Sequence, residues 1–492
     1  MLIYSVLFTV LLFLLVRYSR LFRTEGLSPW ILPSAYLIKV GVGLLLFWVH
    51  IRTYGIGELS HDGERFFNEG RLLNEVFFKS PLDYFRLLTG IGETEALTQH
   101  YLSTTRYWSA GDLTIINDAK NVIRCHSLLH FISFNSFFVH LSALCLLSTA
   151  AVRNIYLTFK GITQLSNSWF FWIILLIPST IFWTSSMMKE PFMFFGISLF
   201  LRALIIEMKP IRKYIWLFIA SFILLAFKPY VLVCLILALI IVALYRYVFK
   251  HKLVHLGIFV CIIAPLSAYI LSDFRDTTVH YLTRKQFDFI NVGKGGLHVQ
   301  SDTCFYFFQT YQYSSIEIDG YSAELKKEVD VYQYRFGSTQ KPEPVHLIPN
   351  GDKWTVVYQA LGCASYIELT PIENSFSQLI KNIPEAIINA GFRPFPSDPG
   401  SKLKYLSMLE VWVLFVFLAY ALLNRRSISK REKEIVLGLT LFAVFLTLLI
   451  GWTTPVLGAI TRYRFPAQMA IVLIGLILLQ PKAIKLWKKQ SL

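Results

Sequence analysis

Charge and cysteine are the scarce ingredients of this chain. Only 16% of its 492 residues are Asp, Glu, Lys or Arg, and only six are cysteine. So little charge excludes an ordinary soluble enzyme, in which about a quarter of residues are charged. Six cysteines with neither a CxxC pair nor a His/Cys cluster give no zinc signature, so no metal ligands are assigned. A divalent metal is nevertheless compatible with the sequence, and the cofactor stays unknown. Cys145, Cys234 and Cys261 fall inside apolar runs and read as small packing residues. Cys304 and Cys363 share one polar segment and could form a disulfide in an oxidising compartment, with Cys125 as the competing partner. Internal repeats and low-complexity tracts are also missing.

Apolar length is what the chain has in excess. Hydrophobic residues make up 55% of it and the mean hydropathy is +0.52. Runs long enough for one bilayer crossing lie near residues 2–16, 29–50, 126–150, 168–187, 190–207, 213–228, 230–247, 253–272, 405–423, 434–452 and 461–480. That is about eleven spans by the length rule. The stretch 213–247 is divided at Lys228-Pro229, because proline breaks the helix and one helix of that length would overshoot the bilayer. The expected fold is an all-α polytopic membrane protein.

Lys and Arg fall in every second short loop. Arg17, Arg20 and Arg23 follow the first run, Arg153 and Lys160 the third, Lys209, Arg212 and Lys213 the fifth, Arg246, Lys250 and Lys252 the seventh, and Arg425 to Lys433 the ninth. Basic loops stay in the cytoplasm, so the C-terminus is expected inside and the N-terminus outside. The net charge of +16 is then a topology signal, not a nucleic-acid footprint. The first apolar run is read as a span and not a signal peptide, since its arginines follow it and no small-residue cleavage site appears.

Two long polar segments face outward under this topology. The first, 51–125, lies within the transmembrane region 1–272; it carries Phe66, Phe67, Leu72, Leu73, Val76, Phe77 and Phe78 at helical spacing among charges. It is expected to form amphipathic helices along the membrane surface. The second, 273–404, has turn signals at Gly293 to Gly296, Lys341 to Pro344 and Pro349 to Asp352, with strand-like runs at Cys304 to Tyr313 and Trp354 to Tyr358. It reads as a small mixed or β-rich inserted domain, ahead of C-terminal spans in 405–492.

Three polar clusters sit at the expected outer boundary. In Ser60 to Gly70, Asp62 stands with His61 and Glu64. A carboxylate beside an apolar surface has a raised pKa, which suits a general base, although Asp62 could equally cap a helix starting near Gly63. In Trp183 to Pro191, Lys189 and Glu190 occupy a hairpin too short to reach far into water, and an ammonium at that depth pairs naturally with phosphate. A snorkelling lysine ahead of a helix-starting proline explains the position but not the adjacent acid. In Thr461 to Pro466, Arg462 and Arg464, with Arg393 as companion, break the positive-inside trend and offer guanidinium forks to an anion.

These features resemble the GT-C superfamily of membrane glycosyltransferases, which includes aminoarabinose transferases and protein O-mannosyltransferases. The resemblance rests on the acidic motif of the first outer loop, its amphipathic helices, the many spans, the late outer domain and the Arg-Tyr-Arg segment before the last span. It implies a polyprenyl-phosphate or -diphosphate sugar donor, with Asp62 in the place of the family's loop aspartate. The chain departs from the common Asp-Glu pair, with Gly63 second and Glu64 one residue late, and it has an additional N-terminal span. The Lys-Glu and Arg-Pro-Phe-Pro segments also resemble bacterial envelope-polysaccharide membrane proteins, some of them polymerases. The expected function is therefore sugar transfer from a polyprenyl-linked donor to a lipid or glycan acceptor at the periplasmic face of a bacterial inner membrane. Asp62, His61 and Glu64 form the catalytic group in this reading, and Lys189, Glu190, Arg393, Arg462 and Arg464 bind substrate. A polysaccharide polymerase or ligase shares the donor chemistry, and a lipid-linked sugar flippase needs the cavity but no base. Membrane lipids are partners in every reading; nucleic acid is not.

Overall fold

The computed structural model describes residues 1–54, 61–105, 107–108, 117–257, 259, 271–301, 304–319, 322–335, 343–360 and 362–480. The chain is mainly helical with one antiparallel sheet. It divides into two compact units, Met1–Ala238 with Phe417–Thr440 and Met469–Leu492, and Leu239–Val416 with Leu441–Gln468.

The first unit contains α1 (Leu2–Tyr18), α2 (Ile31–Tyr54), α3 (His61–Lys79), α4 (Pro81–Thr89), α5 (Glu95–Leu102), α6 (Asp118–Ser133), α7 (Phe137–Phe159), α8 (Asn167–Leu175), α9 (Pro178–Trp183), α10 (Glu190–Ile205), α11 (Pro210–Phe227) and the start of α12 (Pro229–Ala243). The polar segment after α2 folds into a small helical cluster. Ser80 caps α4, Pro81 sits in its first turn, and Gly90 ends it at φ 74°, the left-handed conformation that glycine adopts without penalty. Part of the apolar stripe of α3, expected from the sequence to lie along a membrane surface, is covered by protein, while Phe78 stays exposed. Phe66, Leu73 and Val76 are buried with Tyr84, Leu87, Leu102, Val122 and Ile123, so α4, α5 and α6 cover that face. A stripe of this width is satisfied equally by lipid or by neighbouring helices, and here neighbouring helices take Phe66, Leu73 and Val76.

Glycine sets how closely α3 and α6 approach. A Cβ at Gly70 would come within 2.6 Å of the His126 Cβ and 3.1 Å of the Ser127 backbone nitrogen. Gly70→Ala is expected to destabilise the protein by about 1–3 kcal/mol, the usual cost of overpacking a closed interface. Thermal unfolding of the detergent-purified protein measures it; an unchanged midpoint would mean that the two helices separate freely.

Among the described residues six helices are long and apolar enough to cross a membrane: Ile31–His50, Phe137–Phe159, Pro210–Phe227, Pro229–Val248, Lys404–Leu423 and Lys430–Thr453. A seventh is formed if Leu457–Tyr463 and Phe465–Leu478, bent by 48°, count as one span. The expected eleven are thus not all continuous spanning helices among the described residues. The run 126–150 contains a break at Phe134 and Asn135, both at positive φ, so its spanning helix is α7, shifted to Phe137–Phe159. The run 168–187 is split into α8 and α9 ahead of Pro178. The run 190–207 forms the 16-residue α10, and most of 253–272 lies outside the described residues. Hydropathy records apolar length but not a break in the hydrogen-bond ladder.

The second unit begins in α12, which continues as a π turn over Leu244–Val248, and includes α13 (Ser272–Lys294). Seven strands follow: β1 (Gly296–Gln300), β2 (Cys304–Gln309), β3 (Ile316–Asp319), β4 (Ser322–Leu325), β5 (Val329–Arg335), β6 (Glu343–Leu347) and β7 (Lys353–Ala360). They form one antiparallel sheet in the order β3-β4-β7-β1-β2-β5-β6. The inserted segment is therefore an antiparallel sheet with helices on either side of it in sequence. One face buries Leu297, Val299, Phe308, Leu325, Val331 and Trp354. On the opposite face Phe287 of α13 meets Phe307 and Tyr332 at 6.5 and 5.2 Å. Pro344 lies in β6, an edge strand, where a missing N–H costs no ladder bond. Cys304 and Cys363 are free thiols, as is Cys125; Cys304 is buried and accepts a hydrogen bond from Gln333. Beyond the sheet come α14 (Phe376–Lys381), α15 (Ile383–Ile387), α16 (Lys404–Leu423), α17 (Lys430–Thr453), α18 (Leu457–Tyr463) and α19 (Phe465–Leu478), and the unit boundary falls within α12, α16, α17 and α19.

Candidate functional site

The segment between α9 and α10, Thr184 to Met188, is buried although it is not helical. Side chains from two other helices pin it. The Lys39 ammonium of α2 donates to the Thr184 hydroxyl at 2.7 Å, and that hydroxyl donates on to the Thr180 carbonyl at 2.6 Å. His126 of α6 donates from Nε2 to the Met187 carbonyl at 3.1 Å, since a carbonyl can only accept. His126 Nδ1 must then accept from His140 Nδ1, 2.7 Å away, if both rings are neutral. Gly43 of α2 faces the Ser185 carbonyl so closely that a Cβ there would lie 2.5 Å from it. These contacts fix the backbone that delivers Lys189 to the start of α10.

Three charged groups from other helix starts act on Lys189. Lys189 Nζ makes an ion pair with Asp118 Oδ2 at 2.7 Å, and Asp118 stands in the first turn of α6 behind the Asn117 cap. Lys228, at the break before α12, acts electrostatically on both Asp118 and Lys189, and Asp62, in the first turn of α3, acts on Lys189. Burial works against charging Asp118, but the cations of Lys189 and Lys228 outweigh it and hold the carboxyl below its ordinary value. Burial likewise lowers the Lys189 ammonium, opposed by Asp118. Asp62 accepts a hydrogen bond from the Tyr107 hydroxyl at 2.7 Å. Tyr107 is itself placed by its backbone N–H, 3.2 Å from Glu69, and by its ring, 5.1 Å from Phe66, over which Lys189 also sits at 5.5 Å. Two contacts carry Lys228 to this place: Asn121 of α6 donates to the Ala226 carbonyl at 2.9 Å, and Phe192 of α10 stacks on Phe227 at 4.2 Å. Helix N-termini expose unpaired N–H groups and a partial positive charge, so four of them beside two lysines favour an anion.

The residues singled out from sequence divide between the units. His61 opens α3, but its side chain lies outside the described residues. Glu64 is half-buried in the same first turn, and Asp62 is a helical residue there and not the residue before the helix. Glu190 is fully buried in the first turn of α10, where the helix dipole favours an acid. In the second unit Arg393 is ion-paired with Asp398 at 2.6 Å. Arg464 requires a correction. It is buried, and its guanidinium donates to the Ala390 and Arg393 carbonyls and to the Ser407 hydroxyl. The π turn Ile388–Phe392 leaves carbonyls open, and Arg464, at the bend between α18 and α19, closes them. Its fork is committed to holding the chain and not to a phosphate. Arg462, two residues earlier, is half-buried beside Tyr463.

Asp118, Lys228 and Tyr107 were not found from sequence. Asn117 before an apolar-periodic run is an N-cap signal that places Asp118 in a first turn, but nothing in the spacing pairs it with Lys189. Lys228 registered only as a helix break; a cation between two spans is itself a site signal. Among the described residues no group of three or more His, Cys, Asp or Glu is arranged to hold a metal ion. No family model, curated protein or solved structure matches this chain.

Proposed function

We propose that the chain is an integral-membrane glycosyltransferase of GT-C type that uses a polyprenyl-phosphate-linked sugar and works at the periplasmic face of a bacterial inner membrane. One observation carries this reading: Asp62, in the first turn of α3, acts electrostatically on Lys189, and Lys189 with Lys228 acts on Asp118, where helices begin next to apolar spans. The finer fold goes with it. α1, the broken α8–α9 pair, the short α10 and the run 253–272 would complete about eleven crossings, since broken and short helices at membrane depth line protein-filled or wet interiors.

In the reaction the Asp62 carboxylate takes the proton of an acceptor hydroxyl. The acceptor oxygen forms a bond to the anomeric carbon while the bond from that carbon to the phosphate oxygen breaks, its electron pair leaving with the polyprenyl phosphate. The departing phosphate gains one negative charge, which Lys189 and Lys228 stabilise. Tyr107 holds Asp62 in place. A polymerase or ligase would use the same donor half of this site.

The test is turnover of a panel of polyprenyl-phosphate and polyprenyl-diphosphate sugars by the purified full-length protein. Transfer of any of them supports the reading. Movement of labelled lipid across a bilayer without transfer would replace it with the flippase. A cysteine introduced at Gly351 should react with an impermeant reagent from the periplasmic side; reaction only after the inner membrane is opened would invert the topology.

A further inference from the structure

Two of the carboxylates in the first unit that pair with cations differ in kind. Glu93 is wholly enclosed and receives Lys120 at 2.8 Å, Arg124 at 3.4 Å and the Trp108 indole N–H at 2.9 Å. Asp118 keeps 39% of its side chain exposed while bound to Lys189, whose own side chain is 14% exposed. The first is a closed structural knot. The second has an open side.

We infer that Asp118 is an internal counter-anion for the phosphate position, competing with the donor's phosphate for Lys189 and Lys228. This rests on the reading of the two lysines as anion ligands. Their backbones do not depend on Asp118 for placement: Lys228 follows Phe227, which stacks on Phe192, and Ala226, which is held by Asn121, while the segment leading to Lys189 is held by Lys39 and His126. The start of α6 is held by Asn117, whose side chain accepts from the Ala119 and Lys120 N–H groups. The ion pair can therefore open without the helices moving. Two ammonium groups near lipid are costly without an anion, and Asp118 supplies one until a phosphate with more charge and more acceptor oxygens displaces it. Displacement also frees a second carboxylate in the same cluster as Asp62, so binding of the donor prepares the site.

Competition and structural support predict opposite signs for one substitution. Binding of a polyprenyl phosphate, and separately of inorganic phosphate, is measured on the detergent-purified full-length protein and on Asp118→Asn, Asp118→Ser, Lys189→Gln and Lys228→Gln, with thermal unfolding recorded for each. Asp118→Asn and Asp118→Ser are expected to bind about tenfold tighter or better, and each lysine variant about tenfold weaker. A gain for both ligands means the phosphate group alone competes; a gain for the polyprenyl phosphate only means the lipid is needed to seat it. Equal or weaker binding by folded Asp118 variants, with the lysine variants weakened, overturns the competition and leaves the anion site standing. Unchanged binding in both lysine variants overturns the anion site itself. If neither Asp118 variant folds, carbodiimide labelling of Asp118 in the unaltered protein decides: added polyprenyl phosphate should raise it, and no rise rejects the inference.

Discussion

Asp62→Asn is expected to lower sugar transfer by about 10²-fold or more while leaving donor binding intact, because the amide keeps the carboxylate's shape but cannot take a proton. The Tyr107 hydroxyl that now donates 2.7 Å to Asp62 can donate as well to an asparagine carbonyl oxygen, so the local geometry survives. Loss of transfer can then be assigned to basicity. The measurement is kcat and KM with a polyprenyl-phosphate sugar, alongside binding of the polyprenyl phosphate alone. Full activity in Asp62→Asn would remove the base and with it the enzyme mechanism; loss of binding in parallel with transfer would make Asp62 part of the anion cluster instead.

The largest effect on stability is expected from Glu93→Gln. Lys120 and Glu93 have no exposed side-chain surface, and Arg124 has 8%. Removing the carboxylate that they share takes an anion away from two buried cations, a loss of about 3–5 kcal/mol when a buried pair is broken from one side. Total stabilities of about 5–15 kcal/mol make that a loss of much of the folded population. Trp108 also loses the acceptor for its indole N–H, 2.9 Å from Glu93. Expression level and thermal unfolding in detergent report it, and Glu93→Leu combined with Lys120→Met should recover part of the loss by removing one of the stranded charges. A fully stable Glu93→Gln would show that water reaches the cluster.

The clusters read from sequence fared unequally for a reason visible in the residues themselves. Lys189 stood out because a lysine in a short hairpin between apolar runs has nowhere to go but the boundary, and in the structure it makes an ion pair with Asp118. Arg464 looked the same by that logic, yet its guanidinium closes carbonyls of a π turn more than seventy residues earlier in the chain. A one-dimensional pattern records that a cation is present at a helix start; it cannot record which acceptors the fold leaves open around it. Lys228 shows the converse, since Pro229 explained its position so completely that its charge was left unused.

Sequence alone determined that several helices are long and apolar enough to cross a membrane, because apolar length is a local property that each run states independently. It also determined the β-rich nature of the segment after α13, where aromatic runs bounded by glycine turns became β2 and β7, and Gly351, at φ 81°, marks the turn before β7. Only the tertiary structure decided which face covers α3, where the helix at 126–150 breaks, and which charges meet. Those depend on contacts between residues far apart in the chain: Gly70 against His126, Lys39 against Thr184, Asp118 against Lys189. Local pattern fixes what each segment can bury, whereas pairing of charges is decided by which helix ends the packing brings together.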